Sequence, residues 1–386
     1  MSTATVVIHS ARLVTGGSIS SDAWVAFSGP RVLAVGQADG WRELTGAQTA
    51  VTDAGGLWLT PGFVDIHCHG AGGAAFDDGA DSIRTGLAVH RAHGTTRSVI
   101  SLVTNTRGNL LESLAAIAGL AATDPLVLGS HLEGPFLDLE FKGAHDERLL
   151  RRADAGELDA MLDAADGSLR QITLAPELPG ATAAIGRFVD AGVAVAVGHT
   201  AADYEQSRAA FDAGASILTH AFNGMRGIHH RAPGPVAAAT HTPGVTLEVI
   251  NDGTHVHPEV VRMAFASAPG RIALITDAMA ATGSADGEYL LGALAVEVQG
   301  GVARLVDGGS IAGSTLTLDD AVRRAVTEVG VDIATAIDAV TAVPARTIGR
   351  GADLGALAVG YAADAVIMRD DFSVAAVWAN GTQLTA

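Results

Sequence analysis

The sequence contains very little cysteine, lysine or continuous apolar character. Its 386 residues include one cysteine, which cannot form an internal disulfide and therefore predicts a reducing, cytoplasmic location. No run reaches the roughly 18 uncharged apolar residues that a membrane span requires. The N-terminal stretch "MSTATVVIHSARLVTGG" lacks the basic and apolar segments of a signal peptide and predicts a strand instead. Hydrophobic residues nevertheless make up 48% of the chain, enough to bury a large core.

Positive charge is also scarce. The 24 lysine and arginine residues are outnumbered by 42 acidic residues, and the net charge of −18 disfavours nucleic acids and anionic membranes as partners. Lys142 is the only lysine, so any Schiff-base lysine, or any carbamylated lysine bridging two metals, would have to be this residue. An anionic small molecule would need a local cluster of positive groups.

The pattern of short apolar runs divides the chain into three regions. Residues 1–60 and 350–386 contain short strands and turns, which predict one small β-sandwich domain built from both chain ends. Residues 61–349 alternate apolar runs with alanine-rich helical stretches, which predicts a (β/α)8 TIM-like barrel. The eight candidate strands are "FVDIHCH", "TTRSVISLVT", "LVLGSHLEG", "ITLAPE", "VAVAVGHT", "SILTHAFN", "VTLEVINDG" and "IALITDAM".

Polar residues cluster at the C-terminal ends of these strands, where a barrel enzyme builds its active site. They are His67, His69, Glu133, His199, His220 and Asp277. Because strand residues i and i+2 share a face, His67 and His69 should both point inward, with Cys68 turned outward as a structural residue. Each histidine alone could be an ordinary core residue, and Asp277 a helix cap, but their joint placement favours a divalent metal site.

Several motifs resemble one family. The strings "PGFVDIHCHG", "HLEGPF", "KGAH", "VGHT", "THAFNGM", "NDGTHV", "ITDAM" and "IAGSTLTL" occur in the order seen in N-acetylglucosamine-6-phosphate deacetylases of the amidohydrolase superfamily. The HxH pair is shared across that superfamily, whereas "HLEGPF" followed by "KGAH" and "HAFNGM" is far more specific. The resemblance covers nearly the whole chain.

The resemblance implies roles for individual residues. The family's best-kept metal site corresponds to Glu133, His199 and His220, with a second ion at His67 and His69 near Glu133 and Asp277. Zinc is the expected metal, one or two ions per subunit, with Fe²⁺, Mn²⁺ or Co²⁺ as alternatives. The residues expected to bind substrate are His145, Asn223, Gly224, Arg231, His255, Ile311, Ala312, Gly313 and Ser314.

The implied reaction is hydrolysis of the acetamide of N-acetylglucosamine 6-phosphate. Water activated by the metal attacks the acetyl carbonyl, Asp277 serves as general base and then acid, and His145 helps to stabilise the oxyanion. The family also implies a homodimer in which Arg231 and His255 act across the interface. Two alternatives stay open. One is a related hydrolase acting on the galacto epimer, an N-acyl amino acid or a cyclic amide, and the other is an inactive metal-binding scaffold.

Overall fold

The chain is described by a computed structural model over residues 3–384. Its strands, in chain order, are β1 (Val6–Thr15), β2 (Ser18–Ser28), β3 (Arg31–Gln37), β4 (Ala50–Asp53), β5 (Trp58–Pro61), β6 (Phe63–Asp65), β7 (Gly70–Ala71), β8 (Ala74–Ala75), β9 (Thr95–Leu102), β10 (Val127–Glu133), β11 (Leu169–Leu174), β12 (Ala194–Val197), β13 (Ile217–Leu218), β14 (Thr246–Ile250), β15 (Ile272–Ile275), β16 (Gly287–Leu291), β17 (Leu294–Gln299), β18 (Val302–Leu305), β19 (Ala365–Met368), β20 (Val374–Ala379) and β21 (Thr382–Leu384).

The helices lie mainly between the strands of the central region. They are α1 (Ala80–Ala92), α2 (Arg107–Thr123), α3 (Ala155–Ala165), α4 (Ala181–Asp190), α5 (Tyr204–Asp212), α6 (Gly234–Thr240), α7 (Pro258–Ser267), α8 (Leu318–Arg324), α9 (Ile333–Val340) and α10 (Ala342–Thr347). Short 3₁₀ segments occur at Ala38–Leu44, Phe76–Asp78 and Glu147–Leu149, and α8 continues into a π-helical turn at Ala325–Val329. Within residues 3–384, no helix has both the length and the apolar character needed to cross a bilayer.

An eight-stranded sheet forms the predicted barrel. Its strand order is β6-β9-β10-β11-β12-β13-β14-β15, and neighbouring strands from β9 to β15 pair in parallel. The first and last strands meet just past their ends, where the Asp277 N–H donates to the His67 carbonyl at 2.9 Å and the His69 N–H to the Ala278 carbonyl at 2.8 Å. Each of the eight predicted segments overlaps one strand, so the barrel prediction is confirmed.

Complete burial explains why these segments become parallel strands. Every residue of β9, β10 and β14 is buried, and such strands need apolar residues on both faces rather than an alternating pattern. The interior layer is not wholly apolar, however. His67, His131, Gln171 and Glu248 are all fully buried, and each makes side-chain hydrogen bonds.

A separate sheet joins the two ends of the chain, as the sequence predicts. Its order is β21-β20-β19-β5-β1-β2-β3, with β4 beside β1, and β5 pairs antiparallel with β19. Its core includes Val25, Phe27, Leu59, Ile367 and Trp378. The small meander β16-β17-β18 was not among the predicted elements, although the alternating burial of β17 is typical of a strand with one wet face.

The chain divides into two compact units. One comprises residues up to 64, residues 90–97 and residues from 318 onward, and the other comprises residues 65–89 and 98–317. The domain boundaries inferred from the sequence, at 1–60, 61–349 and 350–386, stay predictions.

Candidate metal centre

Four of the barrel strands and the segment after β6 deliver the predicted ligands to one place. His67 and His69 follow β6, Glu133 is the last residue of β10, and His199, His220 and Asp277 each lie two residues beyond the end of a strand. All six side chains are almost fully buried. The convergence follows from the parallel barrel, because the C-terminal ends of all its strands face the same opening.

Unusual backbone geometry places three of these residues. His199, His220 and Asp277 have φ values of 45°, 23° and 47°, in the left-handed region that L-residues with a Cβ seldom adopt. Such strain costs on the order of 1–3 kcal/mol per residue and persists only where the surroundings determine it. The chain therefore turns sharply after β12, β13 and β15 and aims these side chains into the opening.

Glu133 lies at the centre of the cluster. Its Oε1 is 3.0 Å from His199 Nε2 and 3.0 Å from His220 Nε2, and these two nitrogens are 3.0 Å apart. Its Oε2 is 3.2 Å from His69 Nε2. Burial opposes a charge on this carboxylate, but His67 and a hydrogen bond from His145 hold the pKa of Glu133 well below its ordinary value.

The tautomers of His199 and His220 follow from the carbonyl groups that their rings face. His199 Nδ1 lies 2.9 Å from the Phe141 carbonyl oxygen, and His220 Nδ1 lies 3.2 Å from the Asn223 carbonyl oxygen. A carbonyl only accepts, so each Nδ1 carries the proton and each Nε2 presents a lone pair. Two nitrogen lone pairs and an anionic oxygen thus converge, an arrangement that a cation stabilises.

The spacing of these donor atoms fits a metal. Ligands about 2.0–2.1 Å from a tetrahedral zinc ion are separated from one another by about 3.3 Å. The observed separations of 3.0–3.4 Å among the cluster atoms match that value. Imidazole nitrogens and carboxylate oxygens are also the donors that zinc and similar borderline ions prefer.

A second group of donors adjoins the first. His67 Nε2 is 3.1 Å from His69 Nε2, and each of these nitrogens is 3.4 Å from Asp277 Oδ1. Together with Glu133 these residues form a set whose donor atoms all lie within 4.8 Å of one another. Burial opposes a charge on Asp277, but His67 and His69 lower its pKa. Cys68 does not take part, because its Sγ faces the Gly70 carbonyl at 3.8 Å.

His145 differs from the other histidines of the cluster. Its Nδ1 accepts the Thr104 N–H at 3.4 Å, so the ring proton resides on Nε2, which lies 3.4 Å from Glu133 Oε2. Burial lowers the pKa of His145 to about 4, in spite of the opposing effect of Glu133. The ring is therefore neutral and presents an N–H donor at Nε2.

A cavity of about 330 Å³ opens onto this cluster, within the size range of sites for small molecules. Of the residues predicted to bind substrate, those that line it are His145, Asn223, Gly224, His255, Ile311 and Gly313. Ala312 and Ser314 are buried, and the Ser314 hydroxyl donates to the Thr276 carbonyl. Arg231 lies on an exposed loop and is not among the residues that line the cavity.

One group in the site was missed by the sequence analysis. Glu248, in the middle of β14, has Oε2 3.1 Å from His67 Nδ1. The signal for it was present in "VTLEVINDG", where one acidic residue interrupts an otherwise apolar, buried strand. A further orienting group, the Phe141 carbonyl oxygen, belongs to the backbone and leaves no signature in the residue types.

Comparison with known proteins supports the family resemblance. The profile of the amidohydrolase family matches residues 58–384. The N-acetylgalactosamine-6-phosphate deacetylase of Escherichia coli O157:H7 is 40% identical over 336 residues, covering 86% of this chain and 89% of that protein. The N-acetylglucosamine-6-phosphate deacetylase of Vibrio furnissii is 39% identical over 330 residues, covering 84% and 82%.

Solved structures agree with this relationship. An aspartate-to-alanine variant of N-acetyl-D-glucosamine-6-phosphate deacetylase from Mycobacterium smegmatis, in complex with N-acetyl-D-glucosamine-6-phosphate, superposes with a TM-score of 0.92. It is 41% identical, and the match covers 98% of each chain. The family resemblance is confirmed: the chain belongs to the amidohydrolase family, in its N-acetylglucosamine-6-phosphate deacetylase branch.

Proposed function

We propose that the protein is a metal-dependent hydrolase that deacetylates N-acetyl-D-glucosamine 6-phosphate to D-glucosamine 6-phosphate and acetate. The observation that carries the proposal is the convergence of His199 Nε2, His220 Nε2 and Glu133 Oε1 at 3.0 Å, beside a cavity and a carboxylate. Its relatives in Escherichia coli, Vibrio furnissii and Mycobacterium smegmatis carry the names of hexosamine-6-phosphate deacetylases.

The residues proposed to hold the metal are Glu133, His199 and His220, with a second position at His67, His69 and Asp277. A divalent ion held there would polarise the acetyl carbonyl and lower the pKa of water to about 7. Zinc best suits this donor set, and Fe²⁺, Mn²⁺ and Co²⁺ stay as alternatives. Homodimer formation and a cytoplasmic location also stay predictions.

Asp277 is proposed to move the proton. Its carboxylate is at the wall of the cavity and, with its pKa lowered by His67 and His69, it is ionised and able to accept. It takes one proton from the attacking water as the new C–O bond forms. It then delivers that proton to the amide nitrogen, so that the C–N bond breaks and the amine leaves as a neutral group.

His145 is proposed to stabilise the oxygen of the acetyl group. In its neutral form it presents an Nε2–H at the cavity wall, next to Glu133, where negative charge would develop on the carbonyl oxygen during attack. Because burial keeps its pKa near 4, the ring does not compete for the proton that Asp277 carries.

The remaining cavity residues are proposed to hold the sugar phosphate. His255 has Nδ1 2.6 Å from Asp252 Oδ2, which fixes its ring so that it can face an anion with Nε2–H. Asn223 and Gly224 supply the adjacent turn, and residues 311–314 supply the opposite wall. Arg231 is exposed and does not line the cavity of its own chain. We therefore propose that it contacts the phosphate of a substrate bound in the cavity of a partner subunit.

The direct test is acetate release by the purified protein loaded with Zn²⁺, with plain N-acetylglucosamine as the unphosphorylated control. We expect the 6-phosphate to be strongly preferred and chelation to abolish the activity. No acetate from either hexosamine 6-phosphate, with the metal shown to be bound, would overturn the proposal and favour a non-catalytic scaffold.

The galacto epimer is a second candidate substrate. The relative from Escherichia coli, at 40% identity, is an N-acetylgalactosamine-6-phosphate deacetylase, and the relative from Vibrio furnissii, at 39%, is its gluco counterpart. Parallel measurements of kcat/KM on the two 6-phosphates decide between them.

A further inference from the structure

Glu248 is a charged residue in the interior of the barrel. Its side chain is fully buried on β14, whose other residues Thr246, Leu247, Val249 and Ile250 follow the usual pattern of a barrel strand. Branched apolar residues normally fill this layer. Burying a carboxylate is costly unless it is hydrogen-bonded and paired, so its partners indicate why it is there.

Three side chains point at this carboxylate. His67 Nδ1 is 3.1 Å and the Thr219 hydroxyl 2.7 Å from Oε2, and the Gln171 amide nitrogen donates to Oε1 at 2.8 Å. Among the residues that the structure describes, Gln171 Oε1 has no hydrogen-bond partner. The Gln171 side chain is therefore oriented by the hydrogen bond that its amide nitrogen donates to Glu248, and not by its amide oxygen.

The contact with Glu248 determines the tautomer of His67. An ionised carboxylate only accepts, so the proton of the neutral ring lies on Nδ1 and the Nε2 lone pair faces the cluster. That nitrogen lies 3.1 Å from His69 Nε2 and 3.4 Å from Asp277 Oδ1. His69 has no such support, because its buried Nδ1 has no hydrogen-bond partner among the described residues.

We infer that Glu248 is a positioning residue that holds His67 in its ligating tautomer and so maintains a second metal position at His67, His69 and Asp277. The inference deepens the proposed function and rests on its assignment of this cluster as a metal centre. The histidines of the first position are oriented differently, by the neutral carbonyls of Phe141 and Asn223.

Charge gives Glu248 a second effect. When the histidines ligate metal they are neutral, and Glu133, Asp277 and Glu248 then place three negative charges in and directly behind the cluster, more than one divalent ion balances. A carboxylate behind a ligating histidine also raises the basicity of the ring, and removal of such a partner typically weakens metal binding by about 10–100-fold. The loss should affect the position at His67 and leave the position at Glu133, His199 and His220 intact.

Two substitutions at Glu248 separate the effect of the hydrogen-bond acceptor from that of the charge. Glu248→Gln keeps an acceptor for the His67 Nδ1–H, and Gln171 can rotate its amide so that its unpartnered oxygen meets the new NH₂ group. Glu248→Leu removes both the acceptor and the charge. Glu157→Gln is the matched control, because Glu157, on the outer helix α3, is also a buried carboxylate but is paired with Arg151.

The experiment measures metal rather than turnover. Full-length apo protein is titrated with Zn²⁺ against a competing chelator, the bound metal is counted after gel filtration, and Co²⁺ absorption reports the ligand geometry. We expect two ions in the wild type and in Glu157→Gln, one in Glu248→Leu, and a second ion bound about 10–100-fold more weakly in Glu248→Gln. Circular dichroism checks folding, and if Glu248→Leu does not fold, Glu248→Gln alone decides.

The inference is overturned if the wild type binds one ion, or if the second ion binds the Glu248 variants as tightly as it binds the wild type. Failure of the proposed function is a separate result. A wild type that binds two ions but releases no acetate would remove the deacetylase assignment, while the metal titration would still decide the role of Glu248.

Discussion

Replacing Asp277 by asparagine should remove most of the turnover without unfolding the protein. Asp277 has a φ of 47°, and asparagine, like aspartate, tolerates this left-handed geometry, whereas alanine would add strain. The backbone bonds of residue 277, its N–H to the His67 carbonyl and its carbonyl to the Ser314 N–H, do not involve the side chain. The substitution therefore isolates the loss of the carboxylate.

The expected loss follows from the role proposed for Asp277. General acid–base catalysis contributes about 10²–10⁴-fold, which corresponds to roughly 3–5 kcal/mol of transition-state stabilisation. Because an amide cannot accept the proton of the attacking water, kcat should fall by this factor. Since Asp277 Oδ1 also lies 3.4 Å from His67 Nε2 and His69 Nε2, the position at these histidines should bind metal more weakly. The position at Glu133, His199 and His220 should remain filled.

Steady-state kinetics on the 6-phosphate, together with metal analysis, makes this measurement. KM should stay near the wild-type value, because the residues proposed to hold the sugar phosphate are unchanged. Asp166→Asn is the matched control, since Asp166 also has a left-handed backbone, with φ of 44°, but caps α3 on the surface. Near-wild-type kcat in Asp277→Asn would refute the proton-transfer role.

Three other predictions concern the phosphate, the core and the metal. Arg231→Ala should raise KM for the phosphorylated sugar about tenfold or more while kcat changes little, because charge-assisted contacts between arginine and phosphate are strong. Arg226→Ala, on the same exposed loop, is the control. An unchanged preference for the phosphorylated sugar in Arg231→Ala would contradict the assignment. Arg97→Met should destabilise the protein by about 3–5 kcal/mol in urea unfolding, because it leaves the buried Asp364 unpaired, whereas loss of the exposed Arg187 should cost little. Removing the metal should lower the Tm measured by calorimetry, and Zn²⁺ at about 100 times its Kd should restore about 2.7 kcal/mol of unfolding free energy. An identical Tm for the apo and the metal-loaded protein would argue against a native metal site.

Much of the fold could be predicted because its signals are local. Eight buried apolar runs separated by helical stretches predicted the eight strands, and period-two geometry predicted that His67 and His69 would share a face. The meander β16-β17-β18 was missed because its short strands follow the barrel and leave six of their fifteen residues exposed.

The sequence predicted a set of site residues but not their arrangement. Arg231 illustrates the difference, since its motif predicts a phosphate contact but its side chain lies on an exposed loop. His255, by contrast, lines the cavity of its own chain. Sequence proximity to other site residues says little about where a long loop directs its side chains.

By itself the sequence determined the barrel, the joining of both chain ends in one sheet and the six side chains at the strand ends, because periodicity and strand-end chemistry are properties of short segments. Only the tertiary structure decided which nitrogen of each histidine faces the cluster. That choice depends on partners distant along the chain, such as the Phe141 carbonyl for His199 and Glu248 for His67, 58 and 181 residues away. Closure of the barrel brings these groups within hydrogen-bonding distance, and it gives His145 a tautomer different from that of the histidines proposed as ligands.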